Sequence, residues 1–504
     1  MVTEIESQKS SLSDIKDMNV NKEIVLTPEE EILRKSYLKK IDLRILPVIV
    51  LLYFANSLDR SNIGTASING LYSYLKFSTS QQGNVISLFT IFYLAFEAPA
   101  NMLLKKTKPR VWFSFIVTAW SLSTFYLAFA TSANLFILGR CLIGIFEAGF
   151  TPGIAAYLPY WYTRKELGSR MAVFFIALPL SGIVGGPIAG AIFFNFERYQ
   201  GIFFIEGLAT IFIGILTYFI MHDYPDTSKF FTPKEKELAV RRITGDQGLA
   251  SKAKISRKQT LNAFKDWKIY VFSFICFGPN NSLILLSYFG PTIIAGMGYT
   301  NTAATFMSGI PHACGAVTMI FAILFLNRIQ LSKLYLICIP VEILGACLCA
   351  FVSKPAVRLL GLCLVAAGTN PLIPASMTWM STNAGSVPKR MVSTAIYTTI
   401  AGLAGFVSPY MFTRKYAPDY YLGHTFNLVM LALSLQAHRR QVTNFKYIYM
   451  QIFEYLCIKT TLAIAKFLNT IEFPRHLLIS SIKLGQFPKP MSVGYGDSSE
   501  PENN

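Results

Sequence analysis

Apolar runs of about twenty residues recur along this chain, and each is long enough to cross a bilayer as a helix. Of the 504 residues, 52% are hydrophobic and only 15% are charged, whereas a soluble protein carries roughly a quarter. Lipid offers backbone groups no hydrogen-bond partners, so such runs must satisfy their own as helices. The sequence therefore predicts an all-α polytopic membrane protein.

The apolar runs fall into two sets of six, which predicts two six-helix halves. The spans are expected near residues 45–63, 84–104, 110–130, 134–158, 171–194, 202–221, 269–294, 302–326, 331–352, 357–381, 391–412 and from 424 onwards. Five regions follow: a disordered cytoplasmic tail (1–40), the first half (41–221), a central loop (222–268), the second half (269–435) and an atypical tail (436–504). In the loop, FFTPKEKELAVRRI is typical of a helix and SKAKISRKQ of a basic linker.

The connections between spans alternate in charge. The first span follows the basic segment LRKSYLKKIDLR, and the inner connections KKTKPR, TRKELGSR, NRIQLSK and SVPKR are basic too. The outer connections TSAN and GMGYTNT carry little or no charge, and TRKYAPD near the end of the chain is a mild exception. This pattern predicts that both chain ends lie in the cytoplasm. It also explains the net charge of +18 without nucleic acid, for which no binding motif is present.

The end of the chain departs from the pattern. The twelfth span reads TFNLVMLALSL before QAHRRQ interrupts it, which is too short to cross and predicts a truncated span. After Leu435 the chain is apolar but broken by charges. This tail is either an interfacial helix or the product of a misread exon or shifted frame, and no function is assigned to it.

The two halves share a local pattern. Trp161 and Trp379 each precede a polar turn that closes on Arg-Met, at 170–171 and 390–391. The match predicts a duplicated half. That architecture places a substrate site near the membrane midplane, between the halves.

Ionisable residues inside the spans are the candidate site. In RCLIGIFEAGFTPG, Arg140 and Glu147 are seven residues apart, so both lie on one helix face. Asp59 and Arg60 lie about 18 Å along the antiparallel first span, at a similar depth. Charges at this depth indicate a functional cavity, in which arginine binds an anion and a carboxylate takes up a proton. The alternative interpretation is an interhelical salt bridge that holds the half together.

Other residues are weaker candidates. Asn370, beside Pro371 and Pro374 in GTNPLIP, either exposes carbonyls of a broken helix or packs helices. His312 is either a proton carrier or bonded to a neighbour, and Glu97 suits a conformational latch. Four aromatic residues either line the cavity or pack helices: Tyr53, Phe54, Tyr288 and Phe289.

Four segments resemble a known family: LDRSNIG, RCLIGIFEAGFTPG, YWYTRKELGSRMA and WMSTNAGSVPKRMVSTA. The chain from about residue 40 to 435 resembles the anion:cation symporter family of the major facilitator superfamily, within it the fungal allantoate-permease-like group. The resemblance implies proton-driven uptake of small organic anions by alternating access. It also implies proton coupling and substrate binding at Asp59, Arg60 and Glu147, with Arg140 as the fixed arginine of the motif. One departure is NMLLKKTKPR, where Lys105 and Lys108 replace the usual Asp and Gly and suggest altered gating contacts.

The sequence thus predicts a proton-coupled transporter of a small carboxylate or related anion. Arg60, Asn62, Arg140 and Asn370 are expected to bind substrate, with Asp59 and Glu147 coupling protons. No cofactor or metal is expected, and the absence of nucleotide-loop, HExxH and GxSxG motifs argues against an enzyme. A monomer in the plasma membrane is expected, with endoplasmic reticulum or vacuole as alternatives. The rival functions are a non-transporting nutrient receptor and an uncoupled facilitator or exporter.

Overall fold

The computed structural model describes residues 26–196, 199–247, 264–325, 330–383, 387–413, 416–417 and 419–442. Within these residues the chain is helical and contains no strand. The all-α fold with two six-helix halves is confirmed. Residues 443–504, most of the predicted atypical tail, and the predicted basic linker SKAKISRKQ lie outside the described residues.

The first half and the helix that follows it comprise eleven helices in the described residues. These are α1 (Pro28–Arg44), α2 (Leu46–Ile68), α3 (Leu71–Tyr74), α4 (Thr79–Lys106), α5 (Pro109–Leu127), α6 (Ala133–Glu147), α7 (Phe150–Tyr157), α8 (Arg164–Phe175), α9 (Ala177–Phe196), α10 (Gln200–Ile220) and α11 (Pro233–Gln247). Helix α11 confirms the helix predicted in the central loop.

The second half adds nine helices in the described residues. These are α12 (Trp267–Ile284), α13 (Gly290–Gly296), α14 (Asn301–Met307), α15 (Gly309–Phe325), α16 (Leu331–Phe351), α17 (Pro355–Asn383), α18 (Val387–Gly402), α19 (Ala404–Met411) and α20 (Tyr421–Val442). A π-helical segment, Leu285–Phe289, joins α12 to α13. Ten stretches of the described chain are long and apolar enough to cross a membrane, while α5 and α20 lie where the third and twelfth spans were predicted.

Helix α20 does not end where the sequence suggested. The α-helical backbone continues through QAHRRQ to Val442. Helix α20 is nevertheless not among the ten described stretches that are long and apolar enough to cross a membrane, in keeping with a truncated twelfth span. The buried His438 stabilises the extension, since its ring stacks on Tyr335 and meets the edge of Trp379.

Helix α1 corrects the prediction of a disordered tail for residues 28–40. Thr27 caps the helix in a capping box with Glu30. Glu235 of α11 accepts hydrogen bonds from Lys40 Nζ (2.7 Å) and Ser36 Oγ (2.8 Å), which ties α11 to α1. Burial alone would raise the pKa of Glu235, but these bonds and one from the Thr232 backbone lower it below its ordinary value.

A network of ion pairs joins helices α1, α8 and α11. Glu166 of α8 is bound by Arg242 of α11 (2.8 Å) and Arg34 of α1 (3.5 Å). Arg170 of α8 binds Asp42 of α1 at 2.9 Å. We call the end of the bundle that carries these pairs the basic side. The pairs fix α1 and α11 against the connection between the fourth and fifth spans.

The halves meet along α2, α4 and α9 of the first and α13, α15 and α19 of the second. At Gly64 of α2 an added Cβ would lie 2.7 Å from the Tyr288 carbonyl oxygen, so only glycine permits this approach to the π-helical segment. Hydrogen bonds also cross the boundary, from Asn301 Nδ2 to the Ile68 carbonyl (2.8 Å) and between the hydroxyls of Ser67 and Thr292 (3.2 Å). The candidate site lies against this boundary.

Candidate functional site

An ion pair between α2 and α6 is the centre of the site. The Arg60 Nε donates a hydrogen bond to Oε1 of Glu147. Glu147 is only 1% exposed. Glu147 Oε2 is buried and has no hydrogen-bond partner in the described part of the chain. The predicted alternative, an interhelical salt bridge, is therefore present, but it joins Arg60 to Glu147 and leaves Arg140 and Asp59 out.

Aromatic rings of α4 cover both arginines. The Arg60 Cζ lies 4.9 Å from the ring centre of Tyr93 and 5.6 Å from that of Phe89. The Arg140 Cζ lies 4.7 Å from the Phe89 ring centre. Cation–π attraction is worth about 0.5–1 kcal/mol at exposed sites and about 2 kcal/mol or more when the cation is desolvated. These rings therefore help to hold the buried Arg140 and the partly exposed Arg60 inside the bundle.

Arg140 is fully buried and poorly satisfied. None of its three guanidinium nitrogens has a hydrogen-bond partner among the described residues. Tyr288 of the π-helical segment faces it from the second half. A buried guanidinium with unused donors is suited to bind a carboxylate, because its planar fork can bond both oxygens.

Asp59 is held by an aromatic donor. The indole Nε1 of Trp120 in α5 donates to its Oδ2 at 3.1 Å, while Oδ1 has no partner in the part of the chain described. Asp59 as a whole is only 2% exposed. Asp59 and Arg60 are adjacent in sequence but point to different neighbours, since α2 turns successive side chains by about 100°.

A third carboxylate, which sequence reasoning missed, lies beside Asp59. Glu206 of α10 is 6% exposed, and neither of its oxygens has a partner among the described residues. Asn62 lies next to it, one turn after Asp59 on α2. The signal was present, because Glu206 is an ionisable residue within an apolar span, as Glu147 is. The same holds for Glu342 of α16, buried in the second half and bound by Thr369 Oγ1 at 2.7 Å.

Asn370 does not join this cluster in the described contacts. Its Nδ2 donates to the Ala366 carbonyl at 2.8 Å and lies against Gly315 of α15. The prediction of a broken helix there is wrong, because α17 continues through Pro371 and Pro374. The contacts of Asn370 favour the packing interpretation.

The other candidates form contacts between helices. The ring of His312 packs against Gly182 of α9, across the boundary between the halves. Glu97 Oε1 accepts a hydrogen bond of 2.5 Å from Thr398 Oγ1 of α18, also across the boundary. This bond is the kind of contact that a conformational latch requires.

The predicted cavity aromatics divide into two groups. Tyr53 stacks on Phe174 at 4.4 Å between ring centres and so packs α2 against α8, and Phe54 packs against the hydrophobic core. Tyr288 and Phe289 instead line a small pocket between the halves, opposite Ser67 of α2. Tyr288 thus lines this pocket and also neighbours Arg60 and Arg140 of the charged cluster.

Comparison with known proteins agrees with this architecture. The model of the Major Facilitator Superfamily matches residues 49–409. The MFS-type transporter cnsO of Penicillium expansum is 32% identical over 78% of this chain and 80% of its own length. A putative tartrate transporter of Agrobacterium vitis is 29% identical over 75% of this chain and 88% of its own.

Solved structures share the fold at low sequence identity. A bacterial homologue of the human lysosomal transporter Spinster, in an inward-facing conformation, has a TM-score of 0.56 at 16% identity and covers 80% of this chain and 97% of its own. The chain belongs to the major facilitator superfamily and is a multi-pass membrane transporter.

Proposed function

We propose that this protein is a proton-coupled importer of a small organic anion that works by alternating access, as a member of the anion:cation symporter family. The observation that carries the proposal is the Arg60–Glu147 ion pair, in which the Glu147 side chain is buried and the Arg60 side chain is 30% exposed, with the unsatisfied guanidinium of Arg140 on the same helix as Glu147. The similarity to a putative tartrate transporter supports a carboxylate as substrate.

The ion pair suggests how proton and substrate are coupled. A substrate carboxylate that binds Arg60 competes with Glu147 for the same guanidinium. Once Glu147 loses its cation, a buried negative charge is costly, so the group binds a proton. Arg140 offers further hydrogen-bond donors to the substrate. Asn62 is proposed as another substrate ligand. Release of the anion restores the ion pair and expels the proton.

The proposal also includes the pathway. The anion would enter through the pocket lined by Tyr288 and Phe289. When the transporter opens on the opposite side, contacts between the halves such as Glu97–Thr398 would break. As a nutrient importer, the protein is proposed to act in the plasma membrane. It is proposed to work as a monomer.

The test is uptake of radiolabelled tartrate and other small carboxylates by cells that express the full chain, at two external pH values and with a protonophore. For a transported anion, uptake should rise at acidic external pH and fall when the protonophore is added. Glu147→Gln should abolish pH-driven accumulation but retain exchange of labelled for unlabelled substrate. Glu342→Gln, a matched change of a buried carboxyl in the other half, should leave the pH dependence intact.

The outcomes separate the rival functions. Uptake that only equilibrates the anion across the membrane, independent of pH and protonophore, would identify an uncoupled facilitator. Binding without transport of any tested anion would favour a receptor.

A further inference from the structure

An apolar groove on the surface of the second half shares no lining residue with the candidate site. Helices α15 and α16 form its walls and α17, on which both of them pack, forms its floor, and its volume is about 250 Å³. Phe321 and Phe325 of α15 and Ile337 of α16 line it, and each is at least 42% exposed. All three helices belong to stretches long and apolar enough to cross a membrane, so these exposed side chains face lipid.

Small residues give the groove its depth. Ala322 of α15 and Ala367 and Gly368 of α17 add little bulk between the two walls. Among the described lining residues only Thr318 and Cys338 carry polar side-chain atoms, and the Thr318 hydroxyl donates to a carbonyl of its own helix at 3.0 Å. The groove therefore suits a hydrocarbon, because an empty apolar groove forfeits the dispersion contacts that a filled one makes.

The dimensions favour a single chain over a helix. The groove follows α16 from Leu334 to Val341, a distance of about 10 Å. A helix that is 10–12 Å across with its side chains would fill about 800 Å³ or more over that length, well above the 250 Å³ present. A transmembrane helix of a partner, or of a second copy, is therefore too thick for the groove, whereas one acyl chain is not.

A lysine lies at one end of the groove. Successive spans run antiparallel, so α15 ends and α16 begins on the basic side, which the basic connections predict to be cytoplasmic. Lys333 is exposed and lies one helical turn before Ile337, on the same face of α16. The stem of a lysine can lie along apolar surface while its ammonium group stays at the level of the headgroups, where the cytoplasmic leaflet carries anionic lipids.

We propose that this groove binds an anionic phospholipid of the cytoplasmic leaflet, with one acyl chain between α15 and α16 and the phosphate at Lys333. Helix α15 also packs on α9 of the first half, whereas α16 packs on α17 and α20. The lipid thus joins a helix at the boundary between the halves to a helix behind it, and it stabilises the arrangement of the second half. Its binding does not depend on the proposed transport function.

The test is native mass spectrometry of the purified full-length protein in detergent, titrated with dioleoylphosphatidylglycerol or with dioleoylphosphatidylcholine, which has the same chains but no net charge. The wild type should bind the first phosphatidylglycerol about fivefold more tightly than the first phosphatidylcholine. Lys333→Gln should remove this preference. Lys354→Gln is the matched control and should keep it, because the exposed Lys354 precedes α17 on the opposite side of the bundle.

A second pair of variants tests the acyl chain. Ala367→Leu fills the groove and should remove the first tight binding event of both lipids, whereas Ala356→Leu, the same change at an exposed position of α17, should not. Equal lipid binding by these two variants would overturn the assignment of the chain to the groove.

The headgroup assignment has its own contrary result, namely a preference for phosphatidylglycerol that survives Lys333→Gln. If Ala367→Leu does not fold, Lys333→Gln decides, since the change of an exposed lysine leaves the packing intact. A dimer in the wild-type spectra that is lost in Ala367→Leu would identify a second copy of the chain as the occupant and would overturn the proposal.

Discussion

Gly144→Ala is expected to move α6, which carries Arg140, away from α4, whose aromatic rings cover both arginines. Gly144 lies on α6 between Arg140 and Glu147, where α6 touches α4. An alanine Cβ there would lie 2.6 Å from the Phe89 carbonyl oxygen and 3.3 Å from the Tyr93 nitrogen. Cβ contacts shorter than 3.0 Å are essentially never seen and ordinary ones begin at 3.4 Å, so the helices must move apart by about 0.4–0.8 Å. The obstacle is backbone, and these two atoms are partners in the i to i+4 hydrogen bonding of α4, so no side-chain rotation can relieve it.

Overpacking of this kind costs about 1–3 kcal/mol. The movement also draws the rings of Phe89 and Tyr93 away from the guanidinium groups that they cover at 4.7 and 4.9 Å. The free energy of unfolding should therefore fall by about 1–3 kcal/mol. Titration of the purified protein with SDS, followed by tryptophan fluorescence, measures this change.

Gly168→Ala is the matched control. A Cβ at Gly168 of α8 would meet nothing closer than Thr378 Cγ2 at 4.0 Å, so this variant should unfold like the wild type or slightly later. If Gly144→Ala and Gly168→Ala unfolded at the same SDS concentration, the close approach of α4 and α6 would be wrong, and with it the placement of the aromatic rings over the arginines.

Three further predictions concern single contacts. Arg60→Lys should raise the apparent KM of a transported anion roughly 10- to 150-fold, because a charge-assisted hydrogen bond worth roughly 1.5–3 kcal/mol is lost although the charge stays; an unchanged KM would exclude direct binding by this residue. Trp120→Phe removes the indole donor to Asp59 (3.1 Å) and should lower the free energy of unfolding by about 1–3 kcal/mol, again by SDS titration, with an unshifted midpoint as the contrary result. Glu235 has a lowered pKa, so its contribution to holding α1 is complete above the unfolded pKa of about 4.3 and is lost as pH falls through the folded value. Amide hydrogen exchange of α1, corrected for intrinsic rates, should therefore quicken in acid, and Lys40→Met should quicken it already at neutral pH; identical exchange in variant and wild type would disprove the role of this pair.

The fold was largely predictable because membrane helices are encoded locally. An apolar run of sufficient length must be helical in lipid, whatever surrounds it. Predictions failed where polar segments depend on partners. Helix α1 is stabilised by contacts such as Lys40–Glu235, whose members are far apart in sequence, and α20 is extended by the stacking of His438 on Tyr335.

The sequence alone determined that Asp59, Arg60, Arg140 and Glu147 lie within apolar spans, because a charge in such a run is conspicuous without any knowledge of its neighbours. Only the tertiary structure decided that Arg60, rather than Arg140, binds Glu147. Partner choice depends on how each helix is rotated and how closely it approaches the next one. Those quantities are set by contacts such as that of Gly144 with α4, which join residues more than fifty positions apart.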